Sequence, residues 1–257
     1  PFKVKAPFKS AIVKYTHNGS EKGKSTLYYK GTTTADHRQT KTTLWGMDQG
    51  EQNTITITKP KEVIVVDLNK RTARATGNQM DYMAQEYEKL STAEKARVKK
   101  NAEKMGKSMM NLFKGGQAKT REGTLMGKPV NIVTVMGLTA YVWKDKGVLL
   151  KQEGSLMGMK LDTVATKVEV GAPVPADKLE VPAGIKAVFD KKADQKQRQM
   201  AKQMMDMLKD PEFGKGGGMA AQPTGGAGPG DAKQSTESKE SDPVKEGMNL
   251  LKKTFSW

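Results

Sequence analysis

A chain of 257 residues with 36% hydrophobic and 28% charged content can hold one large β domain or two small ones, yet it has too few apolar residues to be packed throughout. A formal net charge of +16 and a pI near 9.7 draw it towards anions without choosing among phosphate, anionic lipid and acidic polymer. The absence of cysteine excludes disulfides, thiolate catalysis and thiolate metal sites, and no apolar run approaches the ~20 residues of a membrane-spanning helix.

The chain opens Pro1-Phe2-Lys3, as a mature or trimmed product would, and the expectation is an exported protein, periplasmic or extracellular, with its signal peptide removed. Segments Phe8–Tyr15, Thr26–Lys30, Thr40–Trp45 and Thr54–Thr58 read as successive strands separated by Gly- and Asn-containing turns, the pattern of an antiparallel meander. In the last of these Ile55 and Ile57 alternate with threonines and share one face. Glu62–Leu68 is apolar on both sides, as a strand covered on two faces would be. After Gly77 the apolar period lengthens to about 3.6, which predicts one helix from Gln79 to Leu90 and a second from Ser91, where Ser91-x-x-Glu94 has the capping-box form.

The stretch Thr120–Val188 is a run of short strands. Val130, Ile132 and Thr134 alternate with Asn131, Val133 and Val135. Leu138–Trp143 places Tyr141 and Trp143 on one side, and Lys144-Asp145-Lys146-Gly147 supplies the turn. Asp162–Val170 is read with Val164, Val168 and Val170 on a common face, and Leu179–Gly184 as a short edge segment. A Met-rich helix then spans 189–210. Residues 211–241, rich in glycine, proline and serine, cannot repay their ordering entropy and read as a flexible linker. An amphipathic helix over 242–257 follows, with Val244, Met248, Leu251 and Phe255 on one stripe and Lys252 and Lys253 on the polar side.

Reactive groups are few. His17 and His37 fall in turn-like or strand-edge positions, and no nucleophile elbow, P-loop, dinucleotide fingerprint or HExxH occurs. These absences point away from an enzyme and from any cofactor. Met200, Met204 and Met207 could share a helical face and offer thioethers to Cu(I), but with neither His nor Cys beside them the packing reading is favoured and no metal site is assigned. The lysines lack the arginine clusters and interleaved aromatics of nucleic-acid binders, so nucleic acid is disfavoured. An apolar ligand is better motivated, since a curved meander leaves a concavity. Its candidate lining is Ile55, Ile57, Val65, Val133, Val135, Tyr141, Trp143, Met157, Val164 and Val168.

The order of the motifs Gly123-Thr124-Leu125-Met126-Gly127-Lys128-Pro129-Val130, Tyr141-Val142-Trp143-Lys144, Gly147-Val148-Leu149-Leu150-Lys151-Gln152-Glu153, Ala165-Thr166-Lys167-Val168-Glu169 and Leu179-Glu180-Val181-Pro182-Ala183-Gly184 resembles the second half of the lipoprotein-localisation-factor superfamily (LolA/LolB-like). Val65-Val66-Asp67-Leu68-Asn69-Lys70-Arg71 resembles its earlier hairpin. The resemblance implies an incomplete antiparallel barrel capped by helices, exported, with a cavity suited to acyl chains and no catalytic residues. The helical insertion after Gln79 and the amphipathic end depart from that pattern.

The sequence reading is thus an α+β chain. An incomplete antiparallel β-barrel with helices packed on its concave side occupies 1–188, including a helical insertion at 78–114. The Met-rich helix, linker and terminal helix follow. The expected role is a non-enzymatic envelope protein that binds a lipid or other apolar ligand, with an anionic membrane surface or a partner protein meeting its basic face and terminal helix. The alternative is a structural or interaction protein that engages acidic polymer at the cell surface.

Overall fold

The computed structural model describes residues 2, 6–44, 47–115, 119–135, 137–156 and 158–213. The chain up to Phe213 forms one compact unit. Its strands, in chain order, are β1 (Ser10–Asn18), β2 (Glu21–Lys30), β3 (Thr33–Leu44), β4 (Met47–Thr58), β5 (Glu62–Asp67) and β6 (Thr72–Gly77), followed after two helices by β7 (Lys119–Leu125), β8 (Lys128–Val135), β9 (Leu138–Trp143), β10 (Leu149–Leu156), β11 (Met159–Val170) and β12 (Ala187–Phe189). The helices are α1 (Gln79–Glu88), α2 (Thr92–Gly115) and α3 (Lys191–Lys209).

All twelve strands belong to one open sheet in the order β12-β6-β5-β4-β3-β2-β1-β11-β10-β9-β8-β7. Every pairing is antiparallel except β12 on β6. The sheet is therefore two meanders joined where β1 pairs with β11, and its free margins are β12 and β7. Among the described residues no helix is long and apolar enough to cross a membrane.

Side-chain alternation gives the sheet two cores on opposite faces. One face of β1 carries Ile12, and the register sets Ile12, Tyr28, Ala35, Ile57, Ile64 and Ala75 side by side across six strands. Here Ile55, Ile57, Ile64, Val66, Ala73 and Ala75 pack beneath Val174 and Leu179, with Val181 and Ile185 beside them. The segment after β11 thus lies over this half of the sheet. It contains a single 3-10 turn, Ala176–Leu179, rather than the expected edge strand, because Pro173, Pro175 and Pro182 deprive it of ladder donors.

The other face of β1 carries Ala11, Val13 and Tyr15, which join Phe8, Tyr29, Val130, Ile132, Val148, Leu150 and Ala165 in the second core. Two register breaks shape this half, one where Lys14 pairs with Lys167 but Tyr15 pairs with Ala165, and one between Leu149 and Lys151 against β9. The first overturns the expected common face of β11. Val168 and Val170 lie opposite Val13 and Ala11, whereas Val164 lies opposite Thr16. An extra residue in the strand reverses the alternation beyond it.

The helices make a third cluster, in which Tyr82, Met83, Val98, Ala201, Met205 and Leu208 pack with Phe2, Leu90 and Met204 around them. Its described members come from the helices and flanking segments, not from a concave sheet face. Ser91 and Glu94 form the capping box read from the sequence: the Glu94 carboxylate accepts from the Ser91 amide at 2.9 Å, and the Glu94 amide donates to the Ser91 hydroxyl at 3.3 Å. Met205 is 2% exposed and Met207 41%, so the Met-rich helix uses its methionines unequally, some for packing and some facing water.

The helices reach the sheet through Asp194. Its carboxylate accepts hydrogen bonds from the Tyr82 hydroxyl, from the Gly77 amide at 2.7 Å and from Arg198 Nε at 2.9 Å, and the Arg198 guanidinium lies 4.0 Å from the Tyr82 ring centroid. Burial alone would raise the carboxyl's pKa, but these donors outweigh it and hold the group below its ordinary value. Burial, with the Asp194 charge, pushes Tyr82 up to about 12. Position 77 needs glycine because a Cβ there would run into the Tyr82 hydroxyl and Asp194. Asp190 joins β12 to α3: its amide donates to the Ala75 carbonyl at 2.9 Å and its side chain caps the helix at the Ala193 amide, also 2.9 Å.

Candidate functional site

The face of β1 that bears the second core becomes polar as it passes onto β2 and β3. Register places Leu27 beside Asp36, Ser25 beside Arg38 and Gly23 beside Thr40, while Val13, Tyr15 and His17 of β1 flank Leu27, Ser25 and Gly23. Glu21 lies on the same face by alternation along β2. A carboxylate from β2 and another from β3 therefore converge on Arg38.

Arg38 Nη1 lies 3.0 and 3.1 Å from the two Glu21 carboxylate oxygens, and its Nη2 lies 3.0 Å from Asp36 Oδ2. Thr40 Oγ1 donates to Glu21 at 2.8 Å. The Arg38 side chain is 28% exposed and Glu21 18%. Burial works to lower the Arg38 pKa, and Asp36 and Glu21 reverse that, so the guanidinium stays charged. The two carboxylates fix its plane from both sides.

Above it stand two tyrosines. The Tyr15 hydroxyl donates to the Leu149 carbonyl at 2.8 Å. Burial, then Tyr29 and Asp36, push its pKa well above the ordinary value, against the opposing charge of Arg38. Tyr29 is 1% exposed, and its buried hydroxyl has no hydrogen-bond partner among the described residues. Burial and Asp36 raise its pKa as well, so it remains a neutral hydroxyl able to donate or accept. An aromatic wall borders it: Phe8 lies 5.3 Å from the Tyr29 ring and 5.6 Å from Trp143, and Leu27 and Val168 are half-buried against the same core.

His17 lies inside β1 at 5% exposure, not in a turn. Its ring nitrogens sit 3.0 Å from Thr163 Oγ1 and 3.0 Å from Ser25 Oγ. The neighbouring Gly23, at φ +143°, admits no side chain, since a Cβ would strike the Gln39 carbonyl. His37 lies on the opposite face, 2.8 Å from the Lys178 carbonyl, with its ring against Tyr28. Among the described residues no three His, Asp or Glu side chains converge as a metal-binding group.

The structure divides the residues expected to line one cavity. Ile55 and Ile57 belong to the first core, and Tyr141, Trp143 and Val168 border the second. Val65, expected to be covered, is 47% exposed, because β5 buries only the face that carries Ile64 and Val66. Val133 and Val164 are half-buried outside both cores. The Val135 side chain and Met157 lie outside the described residues, as do Val244, Met248, Leu251, Lys252, Lys253 and Phe255. A recess of about 280 Å³ lined by Thr72, Ala73, Arg74, Val188 and Asp190 lies at the β6–β12 end, far in strand order from the aromatic wall. Sequence reasoning did not single out Glu21, Asp36, Arg38, Tyr15 or Tyr29. Asp36-x-Arg38 was the available signal, but its meaning depends on Glu21 in the neighbouring strand.

No family model matches the chain, and no curated protein matches it. Among solved structures it is similar to an uncharacterized conserved protein from Thermus thermophilus, with 10% identity over 70% of this chain and 90% of that one at a TM-score of 0.40. It is also similar to PNGF-II in C2 and P21 crystal forms, with 12% and 11% identity over 75% of this chain and TM-scores of 0.34. The chain spans about a third of the PNGF-II length (33%). Likenesses this loose carry no function across.

Proposed function

We propose that this chain is a non-enzymatic, exported binding protein that takes a lipid-like ligand against the β1–β2–β3 face of its open sheet. The observation that supports this most is the Tyr29 hydroxyl, buried without a partner among the described residues between the wall made by Phe8 and Trp143 and the ion cluster at Arg38. A buried hydroxyl without a partner costs about 1–3 kcal/mol, a deficit that a ligand head group or a water would remove.

The two chemistries at this place suit an amphiphile. Its hydrocarbon would lie along Leu27, Trp143 and Val168, and its head would meet Tyr29 and Asp36. Because the Asp36 charge acts on the Tyr29 hydroxyl, a head with hydroxyls or an ammonium suits the place better than a carboxylate does.

The test is native mass spectrometry of gently purified full chain, followed by delipidation and titration with single-chain amphiphiles of equal length bearing a hydroxyl, an amine or a carboxylate head. Co-purifying lipid, and tighter uptake of the hydroxyl- or amine-headed chain than of the fatty acid, is the expected result. A clean apo mass with no uptake of any of the three would end the reading.

A further inference from the structure

From the register of the sheet we infer that the opposite face of β1, β2 and β11 is a docking surface for an anionic lipid bilayer. On that face Lys14 stands directly across from Lys167, Lys22 directly across from Lys41, and Lys24 lies between Thr16 and Gln39. Like charges opposite one another in a sheet oppose its pairing. Two such pairs on one face need a reason beyond stability.

The first core ends where these lysines begin. Ile12 on β1 and Tyr28 on β2 are the last residues of their strands packed against that core. Further along the same face of these strands come Lys14, Thr26 and Lys24, and the two lysines are open to water. Lys41 is paired with Asp48 at 2.6 Å and Lys167 with Glu169 at 2.9 Å. Among the described residues Lys14, Lys22 and Lys24 have no such carboxylate. The same face also carries acids: Glu51 stands directly across from Lys41 on β4, and Glu153 and Asp162 sit together on β10 and β11, where Glu153 is engaged by Lys151 and Tyr141.

The type of cation and its spread select the partner. All five are lysines, flexible point charges that suit a field of head groups better than the fixed planar geometry of a bidentate phosphate. They spread over four neighbouring strands, about 4.8 Å apart across the sheet and about 7 Å apart along a strand. That is a patch, not the single track a linear polyanion would follow. No fully exposed aromatic residue interleaves with them to stack bases among the described residues. Each lysine near an anionic membrane adds attraction that salt screens.

This surface does not depend on the ligand reading, since it lies on the other face of the same strands. The test is co-sedimentation of the full chain with phosphatidylcholine vesicles, with and without about a third of phosphatidylglycerol. The wild type should bind only the anionic vesicles, and K14Q/K22Q/K24Q should weaken that binding by about tenfold or more. K99Q/K100Q/K192Q, which removes the same charge from α2 and α3, should change it by less than about threefold. Equal losses in the two variants would overturn the proposal, because net charge alone would then explain binding. So would a wild type that ignores anionic vesicles, or a first variant that loses soluble acidic polymer but keeps the vesicles. Vesicle binding without lipid uptake would leave the surface standing and remove the ligand reading.

Discussion

The two halves of the sheet solve the same burial problem on opposite sides. From β12 to β3 the apolar row faces the segment over Val174 and Leu179, and the reverse face runs out into exposed Val65 and Arg74. From β1 to β8 the apolar row lies on the other side, and the reverse face runs out into lysines. The crossover falls on β1 and β2, which send residues into both cores. The strands that serve two cores are also those whose side chains meet the Arg38 cluster, because at the crossover neither core covers the whole of either face.

The sharpest way to break this comparison is to damage each half alone. Ile57→Ala and Leu150→Ala, both at positions 0% exposed, should each cost about 2–5 kcal/mol in urea unfolding. If the halves are independent the double variant should be additive to within about 0.5 kcal/mol, and a large deviation would show that the two cores act as one. Next in size, Arg38→Met should cost about 2–3 kcal/mol. That is below the value for a fully buried pair because water reaches one side of the cluster, and it would leave Glu21 and Asp36 facing each other at the crossover.

Asp194→Asn asks whether the helical cluster belongs to the β6 half. The carboxyl's pKa is held below its ordinary 3.8, so its contribution is present above that value and lost as pH falls through the folded one. The variant should be weaker than wild type by about 2 kcal/mol at neutral pH, and the gap should close as pH falls below the ordinary carboxyl value and through the lowered folded one. A gap independent of pH would assign the loss to geometry instead. Smallest is Tyr29→Phe, which removes a hydroxyl that bonds nothing described. Stability should change by less than about 1 kcal/mol or rise, while uptake of a hydroxyl-headed amphiphile should fall; unchanged uptake would remove Tyr29 from the site.

Much of the fold was legible where alternation was simple. Thr54–Thr58 announced a strand with Ile55 and Ile57 inward, and Ser91 with Glu94 announced a helix start, because in both the signal is carried by near neighbours. The sheet's division into two cores was not legible. It depends on which strands lie beside β1, whose alternating residues Ile12 and Val13 serve opposite cores, and the register break beside Lys14 moves Val164 away from Val168 with no local pattern to mark the extra residue. The middle of β3 was also missed: His37, Arg38 and Gln39 look like a polar connection until β2 and β4 are placed on either side. The lysine pairs were hidden for the same reason, since Lys22 and Lys41 are neighbours only in space.

Asp190 ties the last rung of the parallel ladder and the first turn of α3 to one residue. Unwinding that turn would peel off a strand only three residues long, leaving β6 as a bare margin with unpaired amides and carbonyls. Fraying at one helix end would then become a chance for another chain's strand to add itself to the sheet.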